Sequence, residues 1–288
     1  MTGGQLLLYR FGFAAIATLA LLLVHELAHR WMSAKRTHPH PPIGRPAEAI
    51  LYLGQMVGIF IVSGNLVAGV VKGESVRSDA MWFAIFGAVA AVLLVGTGEL
   101  GVRLLLRSKL TAEVQRGNVA AGVAASGHYV ATALIVGAAV GGEGLSMIGV
   151  SLTFFVLAIV TLQVFVVLFR TLTSYDDSEE ILAENLAAAI SYAGVTIGMG
   201  IIIGQAVEGT FTGWVPSLKG YAKALVYCGT LYFVRQLLVQ TLIVRGPLRL
   251  RGGKLDDLVG RKSDVGVAAI EAGAYIGAAI LLGHVRDF

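Results

Sequence analysis

Charge is scarce in this chain and cysteine nearly absent. Only 14% of the 288 residues are Asp, Glu, Lys or Arg, too few to clothe a soluble globule of this size. The single cysteine, Cys228, excludes a disulfide framework and a cysteine-based metal site within one chain. The stretches between apolar runs are short, which leaves no room for a soluble domain. No glycine-rich phosphate cradle stands in a strand-to-helix setting. No small-residue cleavage site follows the first apolar run, so that run reads as an uncleaved span.

What is present is apolar length. Hydrophobic residues make up 56% of the chain, and the mean hydropathy is +0.77. A bilayer core of ~30 Å needs ~20 mostly apolar residues per helix. Eight segments meet this, at about 8–30, 47–71, 80–106, 119–141, 147–170, 185–208, 219–244 and 264–284. They must be helical, because backbone polar groups in lipid have to be satisfied within their own segment or in a closed barrel. The expected fold is all-α: a polytopic membrane protein, one integral domain over 1–288. Its first partner is the lipid bilayer. The net charge of +4 does not point to nucleic acid, because the basic residues sit in loops. Loops after the odd-numbered spans hold 15 of the 22 Lys and Arg, which places them in the cytoplasm and both termini on the other side of a bacterial inner membrane.

A fourfold register runs through the spans. Gly54, Gly127, Gly194 and Gly273 are each followed ten residues later by another glycine, at Gly64, Gly137, Gly204 and Gly283. Arg30, Arg103 and Arg170 each stand 24 residues before the first glycine of their unit. Four helical hairpins follow, at about 5–72, 78–142, 146–209 and 217–285, all in one orientation and arranged around a shared axis. Asn118, Asn185 and Asp264 are suited to cap the returning helices; Arg45-Pro46 takes that place in the first. Small residues at spacing four, as in Gly194/Gly198 and Gly273/Gly277, suit close helix packing in lipid rather than a ligand loop.

The stretches Arg116-Gly117-Asn118 through Gly127-His128, Glu184-Asn185 through Gly194, and Asp264 through Gly273 resemble the YjfL-like bacterial inner-membrane proteins, built from tandem two-helix copies of the domain of unknown function 350. The resemblance covers most of 75–288, and the first hairpin only through its glycine register. That family has no established catalytic residues, so the resemblance implies a membrane protein without assigned cofactor or chemistry.

His25-Glu26-Leu27-Ala28-His29 fits the H-E-x-x-H pattern, in which two imidazoles one turn apart bind zinc and the glutamate activates a water. The register sets this stretch against Gly98-Glu99-Leu100-Gly101-Val102-Arg103, which lacks both histidines. An aspartate ligand from a later span is also missing, with Glu271 the one conceivable substitute. A zinc protease through His25 and His29 is therefore the least favoured of three readings, and no metal, cofactor or catalytic residue is expected.

Charges within a span are costly, ~2.5–3.5 kcal/mol each on insertion scales, and mark pairing or function. Arg235 and Glu271 lie at comparable depth on the two arms of the last hairpin, and are expected to pair or share a polar cluster. Glu26 and Glu99 stand one turn from Arg30 and Arg103, the spacing of an intrahelical ion pair. Gln55 and His128 occupy the same repeat position. Together these six form the expected intramembrane cluster, with Asn65, Gln163, Gln205, Gln236 and Gln240 as further polar groups. The favoured reading is a non-enzymatic, channel-like conduit for protons, ions or small solutes. The second is a structural component whose acidic 176–184 and basic 245–262 loops dock a cytoplasmic protein, with a homo-oligomer as a further expected partner.

Overall fold

The computed structural model describes residues 3–33, 44–142 and 144–285, the side chains at 29 and 31–33 excepted. Every regular element among them is helical. Eight are long and apolar enough to cross a membrane: α1 (Gly3–Ser33), α2 (Pro46–Val70), α3 with its continuation α4 (Val76–Thr97 and Leu100–Leu105), α6 (Val119–Ala139), α7 (Leu145–Thr171), α9 (Leu186–Val207), α10 (Trp214–Phe233, continued to Ile243) and α12 (Val265–Val285). The connections at one end carry the short helices α5 (Leu110–Gln115), α8 (Asp177–Leu182) and α11 (Lys254–Asp256).

Two departures from regular winding separate the structure from the expected spans. The third is interrupted at Gly98-Glu99, where Glu99 leaves helical geometry at φ −109°, ψ 2°. The seventh widens to π-type winding over Val234–Ile243, a departure often found where a helix presents functional side chains.

The four returning helices are the core. α2, α6, α9 and α12 stand in a row, each packed along its length against the next. Among the described residues no comparable packing joins α2 to α12. The hairpins thus form an open row and not a ring about a shared axis, which corrects the expected arrangement. α3 packs against α2 and α6, α7 against α6 and α9, and α10 against α9 and α12. Their outer faces carry exposed Val92, Val156, Val160 and Val226, as lipid contact allows.

The glycine register is the geometry of this row. A Cβ on Gly54, Gly127 or Gly194 would overlap the Cα of Ser126, Ala193 or Ala272 on the following helix. The second glycines look backward: Gly137 faces Asn65, Gly204 faces the Leu134 carbonyl, and Gly283 faces Gln205. Each interface thus closes at two levels, eleven residues apart on the following helix, or about 16 Å along its axis. The two left over are the two row ends, Gly64 and Gly273, with nothing near.

The caps extend the pattern. Asn118 and Asn185 accept from the N–H groups of Ala121 and Ala188, at 3.0 and 3.1 Å. Each also donates its amide forward, Asn118 to the Ile181 carbonyl at 2.9 Å and Asn185 to those of Val259 and Gly260 at 3.0 Å. Glu113 and Glu180, five residues upstream, accept from the same amides. Asp264 caps α12 through Val267 N–H at 3.0 Å, but a carboxylate has no amide to offer.

Candidate functional site: two buried polar clusters

α10 and α12 flank the first cluster. Arg235, on the widened turn of α10, is 2% exposed, and its Nε lies 2.7 Å from Glu271 Oε1 on α12. Its Nη2 contacts Asp256 of α11, which also accepts from Ser174 N–H at 2.6 Å. Glu271 accepts from Ser191 on α9 at 2.8 Å and from Tyr275 at 3.1 Å. With its amide oxygen toward Arg235, Gln236 accepts from Nη1 at 3.2 Å and donates to the Arg249 carbonyl at 3.0 Å. Glu271 and Asp256 are 0% and 1% exposed, so one buried cation faces two buried carboxylates.

A cavity of about 20 Å³ lies beside Arg235 and Tyr275 and reaches Tyr175, Arg170 and Asp177. Arg170 Nε meets Asp177 Oδ2 at 3.2 Å. Asp177 stands outside the spans, at the start of α8. Burial pushes its carboxyl up to about 7, against the opposing pull of Arg170 and with Glu271 adding to the rise.

The second cluster is built from the first two hairpins, with Gln163 of α7 reaching it from the third. His25 Nε2 donates to Gln55 Oε1 at 3.2 Å, and Gln55 donates to Glu99 at 3.0 Å. Glu99 pairs with Arg103 at 3.0 Å, and Glu26 with Arg30 at 3.1 Å. His128 Nε2 accepts from Gly101 N–H at 3.1 Å, with Gln163 Nε2 at 3.3 Å. That leaves the ring proton on Nδ1, which is buried without a partner, as are Tyr129 OH and Thr132 Oγ1. The interruption before α4 makes this possible, because it brings the backbone of Gly101 under the imidazole; a Cβ there would overlap His128.

The six expected residues therefore divide. Arg235 and Glu271 meet in one cluster, Gln55 and Glu99 in the other with His128 close by, and Glu26 stays with Arg30 near the end of α1. Asp256, Ser191 and the Arg170–Asp177 pair were not foreseen, because aspartates in polar connections read as solvated. The hint was apolar flanking: Leu255 and Val259 are both buried. The repeat glycines also divide, three packed and Gly273 open. The acidic 176–184 segment, expected to face a partner, engages much of its charge internally: Asp176 and Asp177 with Arg170, Glu180 with Asn185, Glu184 with Arg116.

The His29 side chain lies outside the described residues. Among those described, no three His, Cys, Asp or Glu side chains gather to hold a metal. Glu271 is not a third ligand for His25: it is bonded to Arg235, Ser191 and Tyr275 on the far helix of the row.

No curated protein and no solved structure matches the chain. The family described as Domain of Unknown Function (DUF350) matches twice, over residues 3–140 and 144–285. Each match spans two of the helical hairpins, a larger unit of four spans. Tyrosines follow the larger unit, preceding the first glycine by two residues at Tyr52 and Tyr192 and following it by two at Tyr129 and Tyr275. Each copy carries one of the buried polar clusters, and the chain belongs to the DUF350 family as a tandem of two such domains.

Proposed function

We propose that the protein is a proton conduit in the inner membrane, with the Arg235–Glu271–Asp256 cluster as the charged station on its path. The supporting observation is the imbalance of one buried cation against two buried carboxylates. An uncompensated charge in such surroundings costs several kcal/mol, and uptake of one proton removes it. A cavity of about 20 Å³ beside the cluster is large enough for one water. Asp177, which also lines it, has its carboxyl raised by burial to about 7, which suits proton entry from the basic, cytoplasmic end. The same α9–α12 interface carries Gln205 against Gly283 at its other level. Proton transfer along hydrogen-bonded groups needs no open pore, and so is compatible with a tightly packed row.

The test is flux. Liposomes holding the purified protein and an internal pH dye are given a potassium diffusion potential. Proton entry should be fast with the wild type and fall to the level of empty liposomes with Glu271→Gln, which keeps size and removes the charge. Equal rates for the two proteins would reject the proposal.

A further inference from the structure

We infer that residues 245–251 form a binding site for an anionic phospholipid, its phosphate held by Arg245 and Arg249 and its acyl chains lying along Leu248 and Leu250. After α10 the chain turns at Arg245, in left-handed geometry at φ 54°, and runs back along the helix it has just left. Three side chains at spacing four on α10 and its continuation hold three backbone carbonyls in reverse order. Gln240 donates to that of Pro247 at 2.8 Å, Gln236 to that of Arg249 at 3.0 Å, and Tyr232 to that of Leu250. The returning segment thereby buries both glutamines, which lipid would leave without partners. The same turns of α10 expose Phe233, Leu237 and Leu242 on their other faces, so the segment beside them meets lipid as well.

Its own side chains fit that boundary. Leu248 and Leu250 are 61% and 82% exposed, and Arg245, Arg249 and Arg251 are exposed around them. Arg251 donates to the Thr173 carbonyl at 3.2 Å. The acids nearest along the chain are taken, Asp256 by Arg235 and Asp257 by Arg261. Among the described residues no carboxylate pairs with Arg245 or Arg249. Four residues span at most about 14 Å of chain, so two long arginine side chains can converge on one headgroup. A phosphate offers each planar guanidinium two oxygens. Exposed leucines beside unpaired arginines select a lipid, which brings acyl chains and phosphate together. An acidic protein would answer the arginines and leave the leucines unmatched.

Native mass spectrometry of the full chain in a neutral detergent tests this, with dioleoylphosphatidylglycerol or dioleoylphosphatidylcholine added as the probe. The wild type should bind the anionic lipid about thirtyfold more tightly, the effect of two arginines beside a phosphate. The double variant Arg245→Gln, Arg249→Gln should lose that preference with unchanged helical circular dichroism. Arg107→Gln with Lys109→Gln removes the same charge from an exposed connection elsewhere and should keep it. Equal affinity of the wild type for the two lipids would overturn the inference, and so would an equal loss in the two double variants. Inorganic phosphate and hexaglutamate should each fail to displace the phosphatidylglycerol. Displacement by the first would make this a free-anion site and by the second a dock for an acidic protein, and either result rejects the lipid.

Discussion

Asn185 holds two hairpins together with one side chain: its oxygen caps α9 at Ala188 N–H, 3.1 Å, while its nitrogen donates to the Gly260 carbonyl, 3.0 Å, 75 residues away in sequence. Asn118 makes the same pair of bonds one hairpin earlier. Asn185→Asp keeps the cap and removes the donor, leaving the carbonyls of Val259 and Gly260 short of a partner beside a new charge. The expected loss is about 1–3 kcal/mol, read as a lower midpoint in thermal unfolding in detergent. Asp264→Asn should leave the midpoint unchanged, because none of the described connections packs on the far side of α12 for an amide to reach.

The two sides of the buried ion cluster are not equivalent. Arg235→Gln strands Glu271 and Asp256 together, and removal of one partner of a buried pair typically costs about 3–5 kcal/mol. Glu271→Gln leaves Arg235 balanced by Asp256 and still offers Ser191 and Tyr275 an acceptor. Its unfolding midpoint should lie close to that of the wild type and well above that of Arg235→Gln. A reversed order would show that Asp256 is not the counter-ion.

Asp177 gives stability a defined pH slope. Its carboxyl lies near 7 when folded, against 3.8 as the ordinary value. The fold therefore holds a proton that the unfolded chain releases. Such a group makes the protein less stable as pH rises from about 4 to about 7, with no further change above. Midpoints measured across this window should fall for the wild type, and the part due to Asp177 should vanish in Asp177→Asn.

Glycine positions separate packing from propensity. Gly194→Ala places a methyl against the Cα of Ala272, and overpacking of this kind costs about 1–3 kcal/mol. Gly273→Ala meets open space within one chain and gains about 0.5–1 kcal/mol of helix propensity. In detergent, the first should lower the unfolding midpoint and the second should hold or raise it.

Much of this was legible along the chain. Apolar length forces helices in lipid, so class and number of spans follow from hydropathy alone. The caps at Asn118, Asn185 and Asp264 are local in the same sense, since each acts on the turn it begins. Arg235 and Glu271 could be matched by depth because both count from nearby helix ends in one hairpin.

Tertiary structure decided whatever depends on which surfaces meet. The glycine spacing announces close approach without saying that the first glycine faces forward and the second backward, or that the row stays open. Asp256 looks like a solvated loop residue until α11 folds it under Arg235. The break at Gly98-Glu99 falls among three glycines, Gly96, Gly98 and Gly101, but what engages the backbone freed there is His128, 27 residues beyond Gly101. Sequence by itself determined what lipid demands of each segment, because that demand acts residue by residue. Neighbours came only with the fold, because a contact energy belongs to a pair, and the partners of Asp256 stand 21 and 82 positions away from it.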